Sequence, residues 1–161
     1  MPPMGSHQET TIVPFTPQQM FDLVADVEDY PRFIPWIEAL RVRNRDVEDG
    51  TGSLTADMVV KYKMFRESFR SEVTLDREAG TINVAYVKGP LKSLINEWRF
   101  EPHVEGCRID FCIEFEFRNI LMQTLATQLI DKAFMRLSGA FIDEAHRRFT
   151  PVIIEKRQET S

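Results

Sequence analysis

The chain has 161 residues, 43% of them hydrophobic and 28% charged, with a formal net charge of −5. That length suits one domain with a real core, expected to span 1–161 with its ordered part at about 7–149. The acidic balance argues against a DNA-binding protein, and no apolar run approaches the roughly 20 residues of a spanning helix. The first ten residues, "MPPMGSHQET", carry neither a basic flank nor an apolar stretch of the secretory kind, so a cytoplasmic location is expected.

Residues 7–13, "HQETTIV", read as a first strand. "PFTPQQM" then starts a helix. Thr16 is the N-cap, Pro17 the first helical residue and Gln19 the third, which completes a capping box. Phe15 is placed to staple onto Met20. The helix should run to about Asp26, with Met20, Phe21, Val24 and Val27 as its apolar stripe. "DYPRFIPW" follows, with two prolines and three aromatic rings in eight residues. Proline fixes φ and removes a backbone donor, so the segment is expected to be neither a helix interior nor a central strand.

From residue 38 the apolar period becomes two, the signature of strands with one buried face. Leu40 and Val42 alternate with Arg41, Arg43 and Arg45, which read as a solvated strand face or, alternatively, as a basic patch. The inward sets are Ala56, Met58, Val60 and Tyr62, then Phe69, Ser71, Val73 and Leu75, then Ile82, Val84 and Tyr86. Turn signals separate them: "EDGTG", "DREAG" and "KGP".

The last hairpin, within "LINEWRFEPHVEGCRIDFCIEFEF", has a readable register. A turn at Val104 and Glu105 sets Glu101 opposite Arg108 and Arg99 opposite Asp110. On the other face Trp98 meets Phe111 and Phe100 meets Ile109. Opposite charges outside and apolar pairs inside are the stabilising cross-strand arrangement. Cys107 and Cys112, five apart on one strand, point to opposite faces and can share neither a disulfide nor a metal. The three histidines fall on separate elements, and no metal signature is present.

From Asn119 the period returns to 3.6. Leu125, Leu129, Ala133, Phe134, Leu137 and Phe141 form one stripe on a helix of about 30 residues, roughly 45 Å long. Gly139 interrupts it, either for close packing against the first helix or as a bend. The last ten residues are polar and expected to fray. Short connections between strands imply an antiparallel sheet. One apolar sheet face must be covered, and the terminal helix is the element large enough to do it. The expected fold is α+β: a curved antiparallel sheet of about seven strands wrapped around a long C-terminal helix.

"DLVADVEDYPRFIPW" and "GPLKSLINEWRF" resemble, in order, the two motifs of the coenzyme Q-binding START-like family. That family lies within the polyketide cyclase/dehydrase superfamily and shares its pattern with bacterial ribosome-association toxins. The resemblance covers about residues 7–149. One departure is Ile37, where many members carry cysteine. The resemblance implies a helix-grip (START-like, Bet v 1-like) fold with an apolar ligand held between sheet and helix. It implies either a non-enzymatic binding protein for a polyprenyl quinone, supporting respiratory electron transfer, or a factor that binds the ribosome and blocks subunit joining. A ubiquinone-like ligand is implied, with no required cofactor. A transient membrane surface is a further implied partner, with the chain peripheral at the inner face.

The candidate ligand-binding residues are Phe33, Trp36, Tyr62, Phe69, Tyr86, Leu91, Asn96, Trp98, Phe111, Ile113, Phe115, Leu125, Leu129 and Phe134. Inward polar groups are Ser71, Asn96 and the Tyr86 phenol. Asn96 either donates to a quinone carbonyl or ties off a backbone bulge. "DYPRFIPW" either forms a stiff apolar rim at the pocket mouth or plugs the end of the core. Lys88 and Lys92, beside the Gly89–Pro90 turn, could meet lipid phosphates at a second gate. Cyclase chemistry would need acid and base groups in the pocket. The predicted strands offer no inward His, Asp or Glu, since Glu114 and Glu116 share the outward face, so no enzyme is expected.

Overall fold

The computed structural model describes residues 5–152. In chain order it comprises β1 (Gly5–Val13), α1 (Pro17–Ala25), a 3-10 turn (Val27–Asp29), α2 (Tyr30–Phe33), β2 (Ile37–Glu48), β3 (Thr51–Tyr62), β4 (Phe65–Asp76), β5 (Thr81–Lys88), β6 (Leu91–His103), β7 (Gly106–Phe117) and α3 (Ile120–Arg148). The seven strands form one sheet in the order β1-β7-β6-β5-β4-β3-β2. All neighbours are antiparallel. The order follows from chain economy: β2 to β7 form a meander of short hairpins, and β1 returns to the free edge of β7.

The β6–β7 register is the expected one. Arg99 faces Asp110, Glu101 faces Arg108, Trp98 faces Phe111 and Phe100 faces Ile109. A one-residue slip would have exchanged the two faces and exposed the aromatic set. The capping box of α1 is also present: Thr16 Oγ1 accepts from Gln19 N, and Gln19 Oε1 accepts from Thr16 N.

In β2 the pairing shifts between Ile37 and Ala39 and again between Arg43 and Asp46. Extra residues in one strand bend it and increase its twist. Asn44 takes a positive φ of 47° within the second irregularity. Arg41, Arg43 and Arg45 therefore do not stay in line. Arg43 pairs with Asp57, and Arg45 pairs with Glu28 at 3.0 Å.

α3 has 29 residues, capped by Asn119, whose Oδ1 accepts from Leu121 N and Met122 N. Its close approaches to the sheet are along β1 and β7. The strands beyond β7 curve away from it. A Cβ built on Gly139 meets nothing within 4 Å, so this glycine is not there for close packing. The expected fraying of the last ten residues concerns a stretch almost wholly outside the described residues. No helix among the described residues is long and apolar enough to cross a membrane.

Candidate functional site

Between the curved sheet and α3 lies a cavity of about 330 Å³, within the roughly 300–1,000 Å³ typical of small-molecule sites. β3 and β4 contribute Met58, Val60, Tyr62, Phe65, Glu67, Phe69 and Ser71; β6 and β7 contribute Leu91, Leu94, Asn96, Trp98, Phe111, Ile113, Phe115 and Phe117. α3 closes it with Ala126, Leu129, Ile130, Ala133, Phe134, Leu137 and Phe141, and Tyr30, Ile34 and Trp36 reach it from the Pro-aromatic segment. The cavity exists because α3 touches only one side of the sheet while the β2–β5 side bends away. Apolar side chains from both layers then line the gap without filling it.

Of the fourteen candidate residues, Trp36, Tyr62, Phe69, Leu91, Asn96, Trp98, Phe111, Ile113, Phe115, Leu129 and Phe134 line this cavity. Three do not. Phe33 turns instead onto Tyr30 and Phe141, with ring centroids 6.1 and 5.4 Å away. Tyr86 has inward parity, but its phenol sits at the β5–β6 turn and accepts a hydrogen bond from Leu91 N at 3.0 Å. Leu125 flanks the lining stripe, which at this end of α3 runs through Ala126 and Ile130.

Asn96 is committed to the protein. Its Nδ2 donates to the Cys112 carbonyl at 2.9 Å, and its Oδ1 accepts from the Trp98 indole N–H at 3.0 Å. It ties to the β7 backbone, but at a regular stretch of the ladder rather than at a bulge, since the β6–β7 pairing shifts only between Leu91 and Ser93.

One lining residue, Glu67, is absent from the sequence expectations, and the Tyr62 hydroxyl is absent from their inward polar groups. Glu67 lines the cavity, which corrects the expectation of no inward carboxylate on the strands. Its parity with Phe69 and Ser71 was the available signal. Tyr62 also lines the cavity, and its hydroxyl is buried without a hydrogen-bond partner among the described residues. A buried hydroxyl left unpaired costs about 1–3 kcal/mol.

The Pro-aromatic segment is held against α3 by charge. Pro31 fits the first turn of α2, so the segment contains a short helical turn rather than wholly irregular backbone. Glu144, 1% exposed, receives Arg32, Arg147 and Arg148, and Arg148 also reaches Asp29. Burial alone would raise the Glu144 pKa, but the three guanidinium groups prevail and hold it down at about 2. The Arg32 and Arg148 guanidinium groups each lie 5.8 Å from the Phe33 ring centroid. Phe33 is thus part of a clasp, while Ile34 and Trp36 face the cavity. The segment is both core plug and cavity wall.

A second clasp joins β1 to α3. His7, its side chain 9% exposed, bonds Asp131 through Nδ1 at 2.8 Å and Glu9 through Nε2 at 2.9 Å. Its ring stacks on Phe134, centroids 5.5 Å apart. Burial disfavours the imidazolium, but the bonds to Glu9 and Asp131 outweigh it and raise the His7 pKa. Cys107 is buried, and burial pushes its thiol up to about 11. Among the described residues no cluster of three or more His, Cys, Asp or Glu is placed to hold a metal.

An antiparallel sheet gripping one long helix across an apolar cavity is the helix-grip architecture of START-like and Bet v 1-like proteins. Residues 13–142 match the family described as polyketide cyclase / dehydrase and lipid transport, and the chain belongs to that family. It is 30% identical over 141 residues to the ribosome association toxin RatA of Rickettsia prowazekii, covering 86% of this chain and 94% of that one. It is 29% identical over 154 residues to the mitochondrial coenzyme Q-binding protein COQ10 of Drosophila melanogaster, covering 93% of this chain and 62% of that one. An 18 kDa protein from Caulobacter crescentus has a similar structure, with a TM-score of 0.77 at 36% identity over 89% of this chain and 97% of that one. The ZhuI aromatase/cyclase of Streptomyces sp. R1128 shares the fold, with a TM-score of 0.78 at 17% identity over 91% of this chain and 96% of that one. The family thus holds binding proteins, toxins and cyclases on one scaffold, and the fold alone does not select among them.

Proposed function

We propose that the chain is a non-catalytic binding protein for an apolar lipid of the polyprenyl quinone type, carried between the sheet and α3. The observation that supports this most is the cavity, whose lining is apolar apart from a few polar side chains and holds one carboxylate. A cyclase would need several positioned acid and base groups along its substrate. Entry is proposed at the end where the β3–β4 hairpin, the β5–β6 turn and the start of α3 converge. There Phe65 and Phe117 approach to 6.0 Å and Arg118 N donates to the Pro90 carbonyl at 3.2 Å. Met64, Ile120 and Leu121 are exposed at this end, beside Lys63 and Lys88. Exposed apolar side chains among lysines suit brief contact with an anionic bilayer.

The similarity to RatA supports a second reading, ribosome binding. Against it, Arg43 and Arg45 are already ion-paired with Asp57 and Glu28 and do not form a free basic patch. Organic extraction of the purified protein followed by mass spectrometry tests the lipid reading. A co-purifying neutral prenyl lipid at near-stoichiometric yield is expected. Its absence, together with loss of the 70S peak when the protein is added to ribosomes, would favour the toxin-type reading.

A further inference from the structure

The cavity is chemically lopsided. Its deep end, at Ile82, Trp98 and Phe141, is apolar apart from an indole N–H already bonded to Asn96. Its β3–β4 end carries Tyr62 and Glu67 on adjacent strands. Tyr62 pairs with Phe65, and Glu67 pairs with Val60, the next inward residue on β3. Tyr62 and Glu67 are therefore diagonal neighbours on one face of an antiparallel pair, about 7–8 Å apart at the backbone. The Tyr62 ring is fixed edge-on against Trp36, centroids 5.5 Å apart, and its buried hydroxyl has no partner among the described residues. Glu67 is the one charged residue of the lining, and no hydrogen bond or ion pair engages it among the described residues. Lys63 lies over the Tyr62 ring at 5.9 Å but is exposed and outside the lining.

Resting on the lipid-binding reading above, we infer that the β3–β4 end is the head-group pole of the cavity and that it selects an uncharged lipid bearing a carbonyl acceptor. The phenol supplies the donor. An acceptor that reaches it removes an unpaired buried hydroxyl as well as adding a bond, so the preference over a pure hydrocarbon comes from both terms. The Glu67 carboxylate supplies the exclusion. No lining cation offsets it, so a fatty-acid carboxylate or lipid phosphate placed there meets a like charge. Discrimination is built from one attractive and one repulsive element. The tail then points toward Trp98 and Phe141, away from the entry end.

The test compares three probes, decylubiquinone, squalene and oleate, on the full chain and on Tyr62→Phe and Glu67→Gln at constant detergent and pH 8. Wild type should bind decylubiquinone and squalene, and oleate at least about tenfold more weakly than decylubiquinone. Tyr62→Phe should weaken decylubiquinone about 3–10-fold, the value of one hydrogen bond, and leave squalene unchanged. Its ligand-free thermal midpoint should not fall, because an unpaired hydroxyl is removed. Glu67→Gln should restore oleate. Equal binding of oleate and decylubiquinone by wild type, or an unchanged decylubiquinone affinity in Tyr62→Phe, overturns the head-group assignment while leaving the carrier reading standing. Failure of wild type to bind any of the three overturns both.

Discussion

The Trp98 indole meets the Phe111 ring edge-on, centroids 4.7 Å apart, directly across the β6–β7 ladder. The same indole donates to Asn96, which in turn donates to the Cys112 carbonyl. One strand pair thereby holds one of the two lining tryptophans in a fixed pose, and the floor of the cavity is set by a hydrogen-bonded chain rather than by packing alone.

Asn96→Ala breaks that chain and leaves the indole N–H without its acceptor. It should cost about 1–3 kcal/mol in urea unfolding. Asn96→Asp keeps an acceptor for the indole but loses the bond to Cys112, and should also destabilise. A loss below a few tenths of a kcal/mol in both variants would mean that the chain does not hold Trp98.

Gly139 sits inside α3 with open space where a Cβ would be. Gly139→Ala should therefore stabilise the protein by up to about 1 kcal/mol through helix propensity. Thermal or urea unfolding measures this. Destabilisation would show that the glycine serves a bend the helix needs.

The His7 clasp makes a pH-dependent contribution. Its folded-state pKa is raised above 6.5 by Glu9 and Asp131. The stabilisation is fully present below the unfolded value and is lost as pH rises through the folded one. The stability difference between wild type and His7→Gln should be larger at pH 5.5 than at pH 8.5. Equal differences at the two pH values would contradict a charged clasp.

The register of β6 and β7 was legible because both faces constrain it, with Arg99 and Asp110 outside and Trp98 and Phe111 inside. The α1 start was legible because a capping box needs specific residues at fixed spacing. Three candidate residues lie outside the lining, each for its own reason. Tyr86 has the right parity, but the turn at Gly89 folds its phenol onto the Leu91 amide. Leu125 belongs to the same broad apolar stripe as Ala126, and helical period alone does not fix which of the two faces a curved sheet. Phe33 was drawn to Phe141 and the arginines, a long-range contact that no local pattern announces. Glu67 was missed because its charge suggested solvent, although its strand parity pointed inward.

Ligand binding between sheet and helix should be driven by the tail. Burial of an isoprenoid tail contributes about 25 cal/mol per Å² of apolar surface, so affinity should rise with tail length until the cavity is full. The direct measurement is a detergent titration with quinones of increasing tail length, followed by backbone NMR shifts, on wild type and Leu129→Trp. Shifts should map to the cavity lining of β3, β4, β6, β7 and α3, strengthen with tail length and then level off. Leu129→Trp should weaken the long-tailed ligands most while remaining folded. Shifts confined to the outer sheet face, or affinity independent of tail length, would contradict an internal lipid site.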